Sequence, residues 1–197
     1  MGRIKPRTEV GEPVVDWLRK IPKTETHLHI EGALPYILLR ELDPDRFPAN
    51  PYFREHGYFG GADKIYEALD LLGAERIQHG TRAFEDPDLL QRLADEGVIL
   101  DMCPISSEKL RVVEQLEDHP IRGYFDAGVT CTINTDDPLC FANTLSVEYE
   151  ALHDRLGFKR SELAKIAKNG FRFARMDEEL KNSYIAEIDS LLSEEIE

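Results

Sequence analysis

Two imidazoles separated by one residue, His27 and His29, stand in the run Thr24-Glu25-Thr26-His27-Leu28-His29-Ile30. Successive side chains of an extended chain leave opposite faces, so residues i and i+2 share a face and can grip one metal ion. Two other segments end in groups of the same kind. Arg76-Ile77-Gln78-His79-Gly80 closes on an imidazole, and Thr132-Ile133-Asn134-Thr135-Asp136-Asp137-Pro138 closes on a pair of carboxylates. Imidazole with carboxylate suits zinc, and a catalytic zinc keeps one position for a water whose pKa the metal lowers toward neutrality. On this reading His27, His29 and Asp136 hold one Zn2+, His79 orients the hydroxide and stabilises charge as it attacks, and Asp137 faces the substrate. Each signal is ordinary by itself: two histidines on a half-exposed strand, Asp-Asp-Pro as a turn and helix start, a histidine bonding a loop before Gly80. Their joint position at strand ends is what links them.

Groups from distant parts of a chain meet at one level only if strands carry them there. After residue 60 a cadence repeats: helix pattern, glycine stop, short apolar strand, loop with a reactive side chain. The spacing predicts helices over 62–72, 87–96 and 120–127, each closed by a glycine, and tail helices over 144–156, 161–175 and 177–196 that pack on the outside. Core strands are expected to end at Ile30, His79, Met102 and Thr135, with Asp101 the one break in the apolar run Val98 to Met102. Strands this apolar suit a parallel sheet covered on both faces. A closed (β/α)8 barrel takes about 250 residues, and four strands supply half of it. The expected fold is therefore α/β, an incomplete TIM-like barrel of about four parallel strands with flanking helices and a helical C-terminal tail. In such barrels the reactive groups sit at the carboxyl ends of strands, where His29, His79, Cys103 and Asp136 all fall.

Composition narrows the partners. With 197 residues, 42% of them hydrophobic, the chain reads as one domain over 1–197. A net charge of −14 argues against nucleic acid, whose binding relies on clustered Lys and Arg. Cys103, Cys131 and Cys140 show no C-x-x-C spacing and read as small core or loop residues, which fits a reducing cytoplasm. Residues 1–20 carry no apolar stretch long enough for a signal peptide or membrane span, so a soluble, unanchored protein is expected. His119 and His153 read as surface residues, and Trp17 as a packing anchor. Residues 44–61, with three prolines and five aromatic residues, read as an anchored loop.

The run from Pro22 to Leu34 resembles the first metal-binding strand of the adenosine/adenine deaminase family, and Glu75-Arg76-Ile77-Gln78-His79-Gly80-Thr81-Arg82 is similar to its catalytic-histidine strand. The likeness continues through Met102-Cys103-Pro104-Ile105-Ser106-Ser107 to Asn134-Thr135-Asp136-Asp137-Pro138. The resemblance implies a zinc-dependent hydrolytic deaminase of a purine base or nucleoside, a small-molecule partner, with water replacing an exocyclic amine. It implies His27, His29 and Asp136 as ligands of one Zn2+, His79 as the histidine that orients the attacking hydroxide, and Asp137 as a purine contact. Glu31 falls where true adenosine deaminases usually carry Asp, a choice closer to adenine or aminodeoxyfutalosine deaminases. The zinc site of cytidine deaminases is a different one, and its signature, an H-x-E followed by P-C-x-x-C, does not occur.

One departure is large. The family's His-Ala-Gly-Glu motif, which supplies a zinc-ligand histidine and a proton-donating glutamate, belongs a short helix before His79. That place holds Glu55-His56-Gly57-Tyr58. The expectation is an internal deletion with its junction at Tyr58-Phe59, removing strands two to five, with His56 as a candidate replacement ligand. Such a sheet has two unpaired edges, so a homodimer of half-barrels or poor solubility is expected. The alternative to an enzyme is a non-catalytic metal-binding or interaction protein derived from the family.

Overall fold

The most apolar run of the chain becomes its central strand. The computed structural model describes residues 12–27 and 61–193. In them three strands, β1 (Arg76–Gln78), β2 (Ile99–Met102) and β3 (Thr130–Ile133), form a parallel sheet in the order β1-β2-β3. The register sets Ile77 beside Leu100 and Leu100 beside Cys131. All four residues of β2 are buried, as a strand flanked on both edges and covered on both faces requires.

In chain order the helices are α1 (Glu12–Lys20), α2 (Ala62–Leu72), α3 (Pro87–Asp95), α4 (Pro104–Lys109), α5 (Ile121–Asp126), α6 (Pro138–Phe141), α7 (Leu145–Leu156), α8 (Arg160–Arg172) and α9 (Glu178–Ser193). Their local signals are those expected. Asp86 caps α3, its Oδ1 accepting from Asp88 N at 2.9 Å and Leu89 N at 3.3 Å. Gly73 ends α2 at φ 61, the left-handed conformation that glycine adopts without strain. Leu89, Leu93, Leu100, Met102, Ile121, Leu163 and Ile166 are fully buried between helices and sheet. Trp17 is the anchor expected: it is buried, and its Nε1 donates to Leu191 O at 3.1 Å, tying α1 to α9. No helix among the described residues is long and apolar enough to cross a membrane.

Three expectations change. The sheet has three strands among the described residues, not four, since 22–27 carries no strand assignment. One backbone bond, from Asp136 N to His27 O at 3.3 Å, and several side chains hold the segment beside the end of β3. Asn134 Oδ1 accepts from Thr26 N at 2.8 Å, His27 N at 3.1 Å and Thr26 Oγ1 at 2.8 Å. Residues 28–30 of the expected strand lie outside the described residues. Second, a short helix, α4, follows β2 directly, where none was expected. Third, His119 is 3% exposed rather than at the surface. It sits between a 3-10 turn (Leu116–Asp118) and α5, its Nδ1 accepts from Ile121 N at 3.2 Å, and burial holds its pKa down to about 3. His153 is half-buried, its Nδ1 2.7 Å from Phe158 O.

Candidate active site

β1 and β3 hand over their reactive residues through a break in the extended backbone. His79 follows β1, and its N–H still donates to Asp101 O at 2.8 Å before the chain turns left-handed at φ 59. Gly80 continues that turn at φ 68, a conformation glycine adopts without strain, and a Cβ there would press on Leu100 Cδ2 at 2.9 Å. At the end of β3, Asp136 also adopts positive φ, 63. Left-handed backbone costs a residue with a Cβ on the order of 1 kcal/mol, and here it turns both side chains inward above the sheet.

They meet His27. Its Nε2 lies 3.2 Å from Asp136 Oδ1, and His79 Nε2 lies 4.0 Å from Asp136 Oδ2. The two imidazoles stand edge to face with centroids 4.7 Å apart. Ser106 Oγ, at the start of α4, donates to Asp136 Oδ2 at 2.6 Å. Burial pushes the Asp136 carboxyl up, but the His27 and Ser106 bonds outweigh it and hold the carboxyl below its usual range. The same contact with Asp136 raises the His27 pKa against the opposing effect of burial.

This donor set fits a metal ion. Two ligands at about 2.0–2.1 Å on a tetrahedral zinc stand about 3.3 Å apart, close to the His27–Asp136 separation. The thiol of Cys103 joins His27 and His79 within 4.8 Å, although burial raises its pKa well above the usual value.

Below these groups lies a polar floor. Asp101 is 0% exposed and accepts from Arg76 Nε at 2.5 Å, Arg76 NH2 at 2.8 Å, Gln78 Nε2 at 2.9 Å, Thr26 Oγ1 at 3.1 Å and the Thr132 hydroxyl. Burial raises the Asp101 carboxyl, yet Arg76 and the two hydroxyls prevail and keep it below the usual carboxylate range. The sheet register puts Gln78, Asp101 and Thr132 in one row, so three strands supply one network. Beside His79 opens a cleft of about 250 Å³, lined by apolar Ile65, Ala68 and Ile77 and by polar Thr81, Ser106 and Ser107.

Of the expected residues the structure brings together His27, His79 and Asp136, with Asp137 next in the chain and half-buried at the start of α6. His29, Glu31, His56 and the junction at Tyr58-Phe59 lie outside the described residues. Sequence reasoning passed over Gln78, Asp101, Ser106 and Asn134. Asp101 did leave a signal, a lone charge inside an otherwise apolar strand, which demands partners when buried.

A family model described as adenosine deaminase matches residues 54–191. The adenine deaminase of Streptomyces coelicolor is 44% identical over 128 residues, covering 64% of this chain and 38% of that protein. The crystal structure of adenine deaminase from Arthrobacter aurescens matches with a TM-score of 0.66 at 37% identity, over 70% of this chain and 42% of that one. An amidohydrolase from Burkholderia ambifaria, crystallised with bound Zn, matches with a TM-score of 0.60 at 28% identity, over 67% of this chain and 38% of that one. The chain spans 38% to 57% of the length of its first curated relatives.

Proposed function

Because the chain belongs to the adenosine deaminase family, we propose that it carries the strand-end half of a zinc-dependent site for hydrolytic deamination of a purine base or nucleoside. One observation carries the reading: the Asp136 carboxylate lies between the Nε2 atoms of His27 and His79, at 3.2 and 4.0 Å. His27 and Asp136, with His29, are the residues that would hold one Zn2+ per chain. When bound, the metal supplies acidification of a water and a positive centre for developing charge. His79, the more exposed imidazole, would orient the attacking water and stabilise charge as it develops. Ser106 fixes Asp136 by its 2.6 Å bond, and Asp137 and Glu31 contact the purine. Adenine is the favoured substrate, since the relatives at 44% and 37% identity are named adenine deaminases.

A second reading rests on a different observation. The His-Ala-Gly-Glu motif is absent from the sequence, as an internal deletion at Tyr58-Phe59 would leave it. Its glutamate supplies general acid assistance, typically about 10²- to 10⁴-fold. Without it the chain is a metal-binding protein derived from the family.

Ammonia release from adenine and adenosine, assayed with added zinc, separates the two. Turnover that falls about 10²- to 10⁴-fold in His79→Ala, with zinc still bound stoichiometrically, supports the enzyme. Stoichiometric zinc with no turnover in the unsubstituted chain establishes the second reading. Absence of stoichiometric zinc overturns both.

A further inference from the structure

We propose that Gln78 is a positioning residue for the metal reading of the site: its amide, oriented by Asp101, holds the Nδ1–H of His27 and thereby turns the Nε2 lone pair of that ring toward Asp136. The inference rests on the function proposed above and adds to it a residue that no likeness to other proteins assigns.

A primary amide has one accepting end and one donating end, and the neighbours decide which faces where. Gln78 bridges two groups. On one side Nε2 lies 2.9 Å from Asp101 Oδ2; on the other Oε1 is in close contact with His27 Nδ1. The Asp101 side is fixed. All its other partners, Arg76, Thr26 and Thr132, present N–H or O–H groups, so this buried carboxylate acts solely as an acceptor and takes the donating end of the amide. The accepting end must then face His27, and Nδ1 must carry hydrogen. A zinc-bound imidazole keeps one N–H, so Nε2, which bonds Asp136 Oδ1 at 3.2 Å when no metal is bound, is left as the ligating nitrogen. Metal-bound histidines as a rule donate their second N–H to such an acceptor, which fixes tautomer and ring orientation.

The arrangement follows from strand geometry. Arg76 and Gln78 are two apart on β1 and share one face, and the register sets Gln78 directly beside Asp101. Gln78 keeps an exposed side, so replacing it leaves no buried hole. Its carboxamide therefore acts as an adaptor between a buried carboxylate and a metal ligand.

The test compares Gln78→Leu with Gln78→Glu in the full chain, using zinc itself as the probe in competition with a chelator. Gln78→Leu is expected to lower zinc affinity about 10- to 100-fold, the usual effect of removing such an outer partner, with no change in the melting temperature of the metal-free protein. Gln78→Glu, whose side chain still offers an oxygen to His27 Nδ1–H, is expected to stay within a few-fold of the parent. In the zinc-loaded parent, nitrogen-resolved NMR should show a slowly exchanging His27 Nδ1–H, lost in Gln78→Leu. Equal zinc affinities for parent and Gln78→Leu, or a His27 whose Nδ1 bears no such proton in the zinc-loaded parent, would overturn the proposal. If the parent itself binds no stoichiometric zinc, the functional reading fails and the adaptor role falls with it, an outcome distinct from the other two.

Discussion

At the scale of single residues, the site is held under strain and against burial. His79 and Asp136 both occupy left-handed backbone at φ 59 and 63. Glycine adopts that region at no steric cost, so His79→Gly is expected to be more stable than His79→Ala by about 1 kcal/mol, as read from urea midpoints, although both lack the imidazole. Glu148 behaves differently. It is 0% exposed and accepts from Ile105 N at 3.2 Å and Asn143 Nδ2 at 2.6 Å, and burial pushes its pKa from 4.5 up to about 8. Between those values the native state retains a proton that the unfolded chain has released. The contribution of Glu148 to stability is therefore complete below about pH 4.5 and is lost as pH rises toward 8, by up to roughly 1.4 kcal/mol per pH unit. Chemical unfolding of metal-free Glu148→Gln should show a flatter pH dependence across that window than the parent. A parallel dependence in both would assign the titration to another group.

At the scale of elements, the segment 22–27 matters most, because it delivers His27 to Asp136. It is held by Asn134 and by Glu25, whose carboxylate accepts from Thr135 N at 3.1 Å and Thr135 Oγ1 at 2.8 Å. It also needs room. Thr24 sits so close over Gly170 of α8 that a Cβ there would collide with its hydroxyl. Gly170→Ala must push the segment away or distort α8, and it is expected to destabilise the fold by about 1–3 kcal/mol and to weaken zinc binding together with it. Thermal melting and zinc titration check the two halves. Unchanged zinc affinity would mean that His27 reaches Asp136 by another route. The glycine stops, the helix caps and the three strands were legible because they follow from neighbours in sequence. Of the first expected strand, 24–27 carries no ladder among the described residues, since alternation of side chains does not tell a paired strand from a segment held mostly by side chains.

At the scale of the whole molecule, the sheet stops at three strands among the described residues, with β1 at one edge and β3 at the other. Strand edges present unpaired backbone groups to solvent and invite another chain. Leu71 and Leu72, at the end of α2, are 77% and 80% exposed. We expect association into homodimers that bury such surface, seen as a concentration-dependent doubling of mass in light scattering. A constant monomer mass with low binding of a hydrophobic dye would count against it.

The chemistry of the site was present in the sequence. Residue types alone named the imidazoles and the carboxylate, because few side chains bind metals or carry protons near neutral pH, and glycines after each helix located the strands that end beside them. Tertiary structure decided which of those groups meet, and what lies beneath them. The convergence of His27, His79 and Asp136 depends on a segment crossing α8 at a glycine, and the Gln78–Asp101–Thr132 row depends on the register of three strands. Contacts of that kind join residues 23 to 110 positions apart, a relation that no local pattern of the chain encodes.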